Sequence, residues 1–407
     1  MDRMIWAAGV AALTLGGCRD RVREVQERHD LQDVVQQMKP AVEAATGLTF
    51  RREPVVLRRT RDQVRDYVIH RFDVELPKNE LAGVQASYRL FGLLPDTLDL
   101  RRTMIDLLTE QVAGYYDPDS NALFVPTDAD PQLVRMTVSH ELTHALQDQY
   151  LSLDSILQQK NQNDRRSAAQ AILEGQATLA QILVLMPEGK PSQIPSFWDT
   201  RKVFRTQMSQ MKEFSGAPLW LQETLIFPYL GGADFVRWFR AGHPGQQPFG
   251  SAMPTSTEQI LHPDRYAAGD APVTLAFLSP AAAVGAPRYE DDLGEFETRL
   301  LFEQLLNDTA EVQATELATG WGGDRYAVFG PGRDVLVWYV AWDDAAGADR
   351  FAVALRKAWA RHRSGGPSDR RWRVDRIMIE GHPGVRLIDA LARWEGWRQT
   401  PAVRVVK

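Results

Sequence analysis

The sequence is poor in three things. It holds one cysteine in 407 residues, Cys18, so no disulfide can staple the chain behind it. It has little charge of one sign: a formal net charge of −6, with no basic stripe interleaved with aromatics, excludes nucleic acid as a partner recognised by charge. It also lacks long hydrophobic runs beyond the first eighteen residues, and no later segment could span a bilayer without turning Glu or Gln toward lipid. No internal repeat is visible. The composition that remains, 44% hydrophobic and 25% charged with eleven tryptophans, is that of a packed globular protein, and the length favours two or three domains.

The first eighteen residues, "MDRMIWAAGVAALTLGGC", begin with Arg3, run through an apolar stretch and close on small residues. That is the layout of a secretory signal, too short for a stable spanning helix. Leu15-Gly16-Gly17-Cys18 resembles the bacterial lipobox. The resemblance implies a signal peptide over 1–17, diacylation of Cys18, and a protein held on the bacterial cell envelope through that lipid alone. The residue after the cysteine is Arg19, which leaves inner and outer membrane both open.

Behind the anchor, 18–112 reads as a tether and helical leader. Leu31, Val34, Val35, Met38 and Val42 recur at helical spacing, Val55-Val56-Leu57 is a strand candidate, and a helix follows over 62–72. Leu94-Pro95-Asp96 separates two more helices. The next region, 113–266, opens with "AGYYDPDSNALFVP", two strand-like runs around a turn-rich centre that predict a β-hairpin. Asp130-Pro131 then starts a helix without Gly or Pro to Tyr150, and a second helix is expected over 164–186 before Pro187-Glu188-Gly189. "FPYLGGADFVRWF" and "PTSTEQILHPDRY" carry turn-forming residues further on. In the last region, 267–407, "VLVWYVAW" reads as a buried strand and 343–363 as a helix. "RWRVDRIMIEGHPGVRLIDA" reads as a hairpin turning at His382-Pro383-Gly384, and Asp324 in "GWGGDRY" as a turn residue. Together the pattern predicts an α+β fold with an α+β C-terminal region.

The helix after Asp130 contains His140-Glu141-Leu142-Thr143-His144. Residues four apart share a helix face, so both imidazoles can meet one metal while Glu141 reaches water beside it. Such a string also arises by chance. Its uncharged neighbours, Thr137, Val138, Leu142, Thr143, Ala145 and Leu146, suit a helix whose other face is buried. A catalytic zinc needs a third protein ligand. A histidine in the HExxHxxGxxH pattern is excluded, because Gln147 and Tyr150 stand there. In "SAAQAILEGQATLAQILVLM", 167–186, Glu174 is the one charged residue, and a carboxylate in so apolar a helix needs a charged partner. Gly175 beside it fits a close approach of two helices.

These motifs resemble the gluzincin-type zinc metallopeptidases, which share HExxH, a glutamate on a downstream helix and a strand bordering the cleft. "PTSTEQILHP" and "GWGGDRY" extend the likeness loosely to bacterial lipoproteins. The resemblance implies a zincin-like catalytic domain over 113–266, with the active-site helix pair beside a small sheet or hairpin. It implies Zn2+ held by His140, His144 and Glu174, and Glu141 as general base in hydrolysis of a peptide or protein substrate. Many such families place Asp four residues after the glutamate ligand to orient the first histidine; here Thr178 stands there, and Asp148 is a candidate substitute. Tyr229 and His262 are candidate donors to the oxyanion, His262 also reading as the end of a short helix capped at Ser256. Two alternatives stay open: an envelope binding or scaffold lipoprotein retaining the fold, and zinc-dependent hydrolysis of a non-peptide amide.

Overall fold

The computed structural model describes residues 21–151, 160–186, 188, 194–306, 311–330 and 334–406; Cys18 and the signal segment lie outside them. The chain opens with α1 (Arg21–Thr46), β1 (Val55–Arg59), α2 (Arg61–Glu75), α3 (Lys78–Phe91) and α4 (Leu100–Gln111). Thr60 and Gln63 start α2 with a reciprocal capping box, and Asp99 caps α4. The expected hairpin follows as β2 (Tyr115–Asp117) and β3 (Ala122–Pro126), turned by Asp117, whose carboxylate accepts from Ser120. Both pair into one small sheet, ordered β1-β3-β2, in which β1 runs parallel to β3. The leader therefore contributes a strand as well as helices.

The HELTH segment lies in α5 (Pro131–Gln147). Val134, Val138, Leu142, Ala145 and Leu146 line one face and pack against Leu31, Val35, Met38 and Val42 of α1 and against Val56, Leu123 and Val125 of the sheet. The helical period puts His140 and His144 on the opposite face, toward α6 (Asn163–Leu185). That helix is apolar and long enough to cross a membrane, yet two thirds of its most apolar window is buried inside the protein, as befits a core helix. On its far side lies α9 (Leu219–Gly242), preceded by α7 (Arg201–Met208) and α8 (Lys212–Gly216). Helix α9 runs unbroken through Pro228, Gly231 and Gly232, residues whose type suggests a turn.

The close helix approach marked by Gly175 is made with α9 and not with the HELTH helix. A Cβ on Gly175 would sit 2.1 Å from the Gly232 carbonyl carbon, and one on Gly232 would sit 1.8 Å from the Ala171 carbonyl oxygen. Backbone cannot swing aside as a side chain can. Gly232→Ala is therefore expected to cost about 1–3 kcal/mol or more through overpacking, read as a lowered melting temperature. Gly242→Ala, at the end of the same helix with nothing within 4 Å of the added carbon, should leave melting unchanged or raise it slightly. Equal melting of both variants would refute the packing argument.

Two short helices, α10 (Thr257–Leu261) and α11 (Pro263–Ala267), lead into the C-terminal region. There follow β4 (Leu275–Phe277), β5 (Tyr289–Asp291), α12 (Gly294–Leu306), α13 (Glu311–Ala318), β6 (Trp321–Phe329), β7 (Val335–Trp342), α14 (Ala345–His362), β8 (Arg370–Ile379), β9 (His382–Leu391) and β10 (Val403–Val405). The antiparallel sheet runs β5-β6-β7-β9-β8, while β4 and β10 form a separate pair. All of β7 is buried because the sheet is covered on both faces. Leu336, Trp338, Val340 and Trp342 join the main helical core, and Val335, Val337, Tyr339 and Ala341 pack toward β4, β10 and Trp394. Phe91 of α3 meets Tyr326, Trp338 and Trp359 edge-on, so the leader is also built into this core.

Two local expectations change. The β8–β9 hairpin turns at Glu380-Gly381, both at positive φ, and His382-Pro383-Gly384 already belongs to β9. Asp324 is a buried residue of β6 and not a turn residue. Its carboxylate accepts from the backbone N–H of Leu293 and Gly294 and from the indole N–H of Trp321 and Trp338, which holds the start of α12 against the sheet.

Candidate functional site

Helices α5 and α6 bring His140, His144 and Glu174 together, with their candidate donor atoms within 4.8 Å of one another. Glu174 Oε2 lies 3.1 Å from His140 Nε2 and 3.4 Å from His144 Nε2. Ligands about 2.0–2.1 Å from a tetrahedral zinc stand about 3.3 Å apart, so the spacing suits one ion held by all three. The bonding left undone agrees: His144 Nε2, Glu174 Oε1 and Glu141 Oε2 are buried with no hydrogen-bond partner among the described residues. Buried polar atoms are seldom left so. Two imidazoles and a carboxylate with orphaned donor atoms fit zinc.

The surroundings set the tautomer of His144. Gln147 Nε2 donates to the Leu173 carbonyl, which can only accept, so its Oε1 faces His144 Nδ1 at 2.9 Å and takes that proton. Nε2 of His144 then presents its lone pair toward Glu174. The chain of amides continues: Gln147 donates to Gln176, Gln176 to Gln247, and Gln247 to the Thr46 carbonyl of α1. His140 is steadied similarly by Gln181, which hydrogen-bonds the imidazole while donating to the Met136 carbonyl. Neither role was visible beforehand. Gln147 registers in the sequence as the residue that breaks the HExxHxxGxxH pattern, and a glutamine on a helix carries no sign of its partner. Asp148, the candidate substitute, accepts from the Tyr116 hydroxyl at 2.9 Å and lies near Arg52. Thr178 Oγ1 is buried without a hydrogen-bond partner among the described residues.

Electrostatics follow the geometry. Burial pushes the Glu141 carboxyl up to about 8, against His144 and a backbone hydrogen bond from Tyr116 that draw it down. Burial also lowers His140, and the hydrogen bond to Glu174 only partly offsets this. For Glu174 burial works upward, but the two imidazoles outweigh it and hold the carboxyl below its ordinary value. For His144 burial works downward, but the charge and hydrogen bond of Glu174 win and raise it.

Tyr229 of α9 lies beside the cluster, its ring stacked at 5.9 Å from that of His140, and it sits mid-helix and not beside a turn. His262 has another partner. It ends α10, as its helix-capping reading expected, and its Nε2 lies 2.7 Å from Glu295 Oε1 on α12. The described contacts join it to α12 and not to the histidine pair. The cluster is nearly closed: His140 is 4% exposed, Glu141 1%, His144 and Glu174 not at all.

Gln147→Ala is expected to weaken zinc binding about 10–100-fold, the usual effect of removing a partner that orients a metal-binding histidine. Competition against a chromogenic chelator reads it, and wild-type affinity in the folded variant would remove Gln147 from this role.

Residues 283–386, about a quarter of its length, match a family described as a domain of unknown function (DUF8575); they lie in the C-terminal sheet region, outside the helix pair. No curated protein matches the chain. Among solved structures, the chain is similar to one from Chloroflexus aurantiacus described as "a putative hydrolase with a novel fold", at 16% identity and a TM-score of 0.38, over 60% of this chain and 90% of that one. At that score the likeness establishes neither a shared fold nor a shared reaction, so the functional reading rests on the side chains of α5 and α6.

Proposed function

We propose that this protein is a zinc-dependent peptidase with a zincin-like active-site helix pair, anchored to the bacterial envelope by a lipid on Cys18. The observation that carries the reading is the convergence of His140, His144 and Glu174 with unsatisfied donor atoms, directly beside the buried carboxyl of Glu141. A zinc ion held by those three residues supplies a Lewis acid that makes water acidic and polarises a substrate carbonyl. The remaining work falls to the chain. Glu141, one residue after the first of those ligands and buried beside them, is placed to take a proton from water and hand it to the leaving amine. The Tyr116 backbone N–H of β2 holds its carboxylate in place. Tyr229, stacked beside His140, is the candidate donor to the oxyanion. Strand β2, at the edge of its sheet, borders the site through Tyr116.

The near closure of the cluster favours a second reading, in which the same residues hold zinc only to join α5 and α6 in an envelope binding protein. Glu141 separates the two, because joining helices does not require a carboxyl next to the ligands. Zinc content of the purified full chain, and its hydrolysis of mixed peptides with and without a chelator, tests both. Zinc with chelator-sensitive hydrolysis supports the peptidase, zinc without hydrolysis supports the joining role, and absence of zinc after reconstitution overturns both.

A further inference from the structure

We propose that Glu258, Asp270 and Asp343 form a second cation site, for a hard divalent ion of the calcium type, which ties α10 to the C-terminal sheet. Glu258 is in the first turn of α10, within the "PTSTEQILHP" segment that the zinc cluster leaves without a role. Asp270 follows α11, and Asp343 lies between β7 and α14. One carboxylate oxygen from each lies within 4.8 Å of the others. Ions of this type bind carboxylate oxygens at about 2.3–2.6 Å, so one ion can touch all three.

A group of acids alone would mean little. What distinguishes this one is Glu258, which is 1% exposed and whose Oε1 is buried with no hydrogen-bond partner among the described residues. Its surroundings are acidic. Glu295 on α12 faces it and is held by His262, and Arg265 on α11 places a single nitrogen 2.7 Å from Asp270 and 2.6 Å from Asp343. Arg265 can neutralise one of the three carboxylates. The other two stand close together in a partly dry space, a state sustained only if a proton or another cation joins them. In agreement, burial first, then Glu295, Asp343 and Asp270, pushes Glu258 up to about 9. The donors are all oxygens, whereas the zinc cluster offers imidazoles, so the two sites select different ions. The location gives the ion its task. Thr257, beside Glu258, accepts the backbone N–H of Phe296 on α12 and bonds Asp164 at the start of α6, so an ion here would steady the junction of α6, α10 and the sheet region.

The test is thermal melting and calorimetry of the full chain in chelator-washed buffer, titrated with Ca2+ and separately with Mg2+. Saturable binding of one Ca2+ with a raised melting temperature is expected, together with proton release at pH 7 as the ion displaces the proton from Glu258. Glu258→Gln should weaken Ca2+ binding at least about tenfold, because it removes the buried charge. Glu174→Ala should keep the Ca2+ response, which separates this site from the zinc cluster. Should Glu258→Gln fail to fold, the more exposed Asp343→Asn replaces it with the same expectation. A wild type indifferent to millimolar Ca2+ would overturn the proposal and leave Glu258 as a protonated acid; so would an equal Ca2+ response in wild type and variant.

Discussion

Glu141→Gln is expected to lower peptide hydrolysis by about 10²–10⁴-fold, the usual share of a general base, while zinc stays bound near stoichiometry. The amide keeps the size and shape of the carboxyl, and its oxygen can still accept the Tyr116 N–H. It cannot take a proton from water. Stability supplies a second readout in zinc-free protein. A carboxyl whose folded pKa is raised, here to about 8 from an ordinary value near 4.5, contributes fully below the unfolded pKa and loses that contribution as pH rises through the folded one. Zinc-free wild type should therefore lose stability relative to Glu141→Gln between about pH 4.5 and 8. Unaltered hydrolysis in the variant would end the peptidase reading, and parallel stability curves would contradict the burial of this carboxyl.

Glu174→Ala should behave in the opposite way. It removes the group that both imidazoles face, so zinc affinity falls, and two histidines are left buried without the carboxylate that compensated them. Breaking a buried charged pair from one side costs about 3–5 kcal/mol, and loss of the ion that joins α5 to α6 adds to it. Zinc content by mass spectrometry and melting with and without added zinc give the two numbers. A variant that retains zinc at wild-type affinity would show that the third ligand is another residue. The contrast between the variants identifies the site: one loses the reaction and keeps the metal, the other loses the metal and with it the reaction.

Much of the local structure was legible because it follows from short-range rules. The spacing of Val134, Val138, Leu142 and Leu146 sets which face of α5 is buried, and therefore that His140 and His144 point away from it. A lone Glu174 among apolar residues announced an unmet charge. Other features escaped because sequence type and structural use differ. Pro228, Gly231 and Gly232 look like turn residues, yet α9 passes through them, and Gly232 lets another helix approach at backbone distance. Asp324 sits among glycines and still serves as a buried acceptor for Leu293 and Gly294, distant in sequence, for Trp338 across the sheet, and for Trp321 on its own strand.

What the sequence determined by itself was the chemistry available: two imidazoles one helical turn apart, a carboxyl beside them, a second carboxyl that needs a cation, and a single cysteine behind an apolar leader. Only the tertiary structure decided which of these meet. It brought Glu174 to both histidines, gave His262 to Glu295, kept Asp148 on Tyr116, and put Gln181 on His140. The reason is one of range. Helical periodicity acts over a few residues and is written in the order of residue types, whereas the pairing of polar groups 30 or more positions apart depends on how helices stack, which residue type alone does not encode.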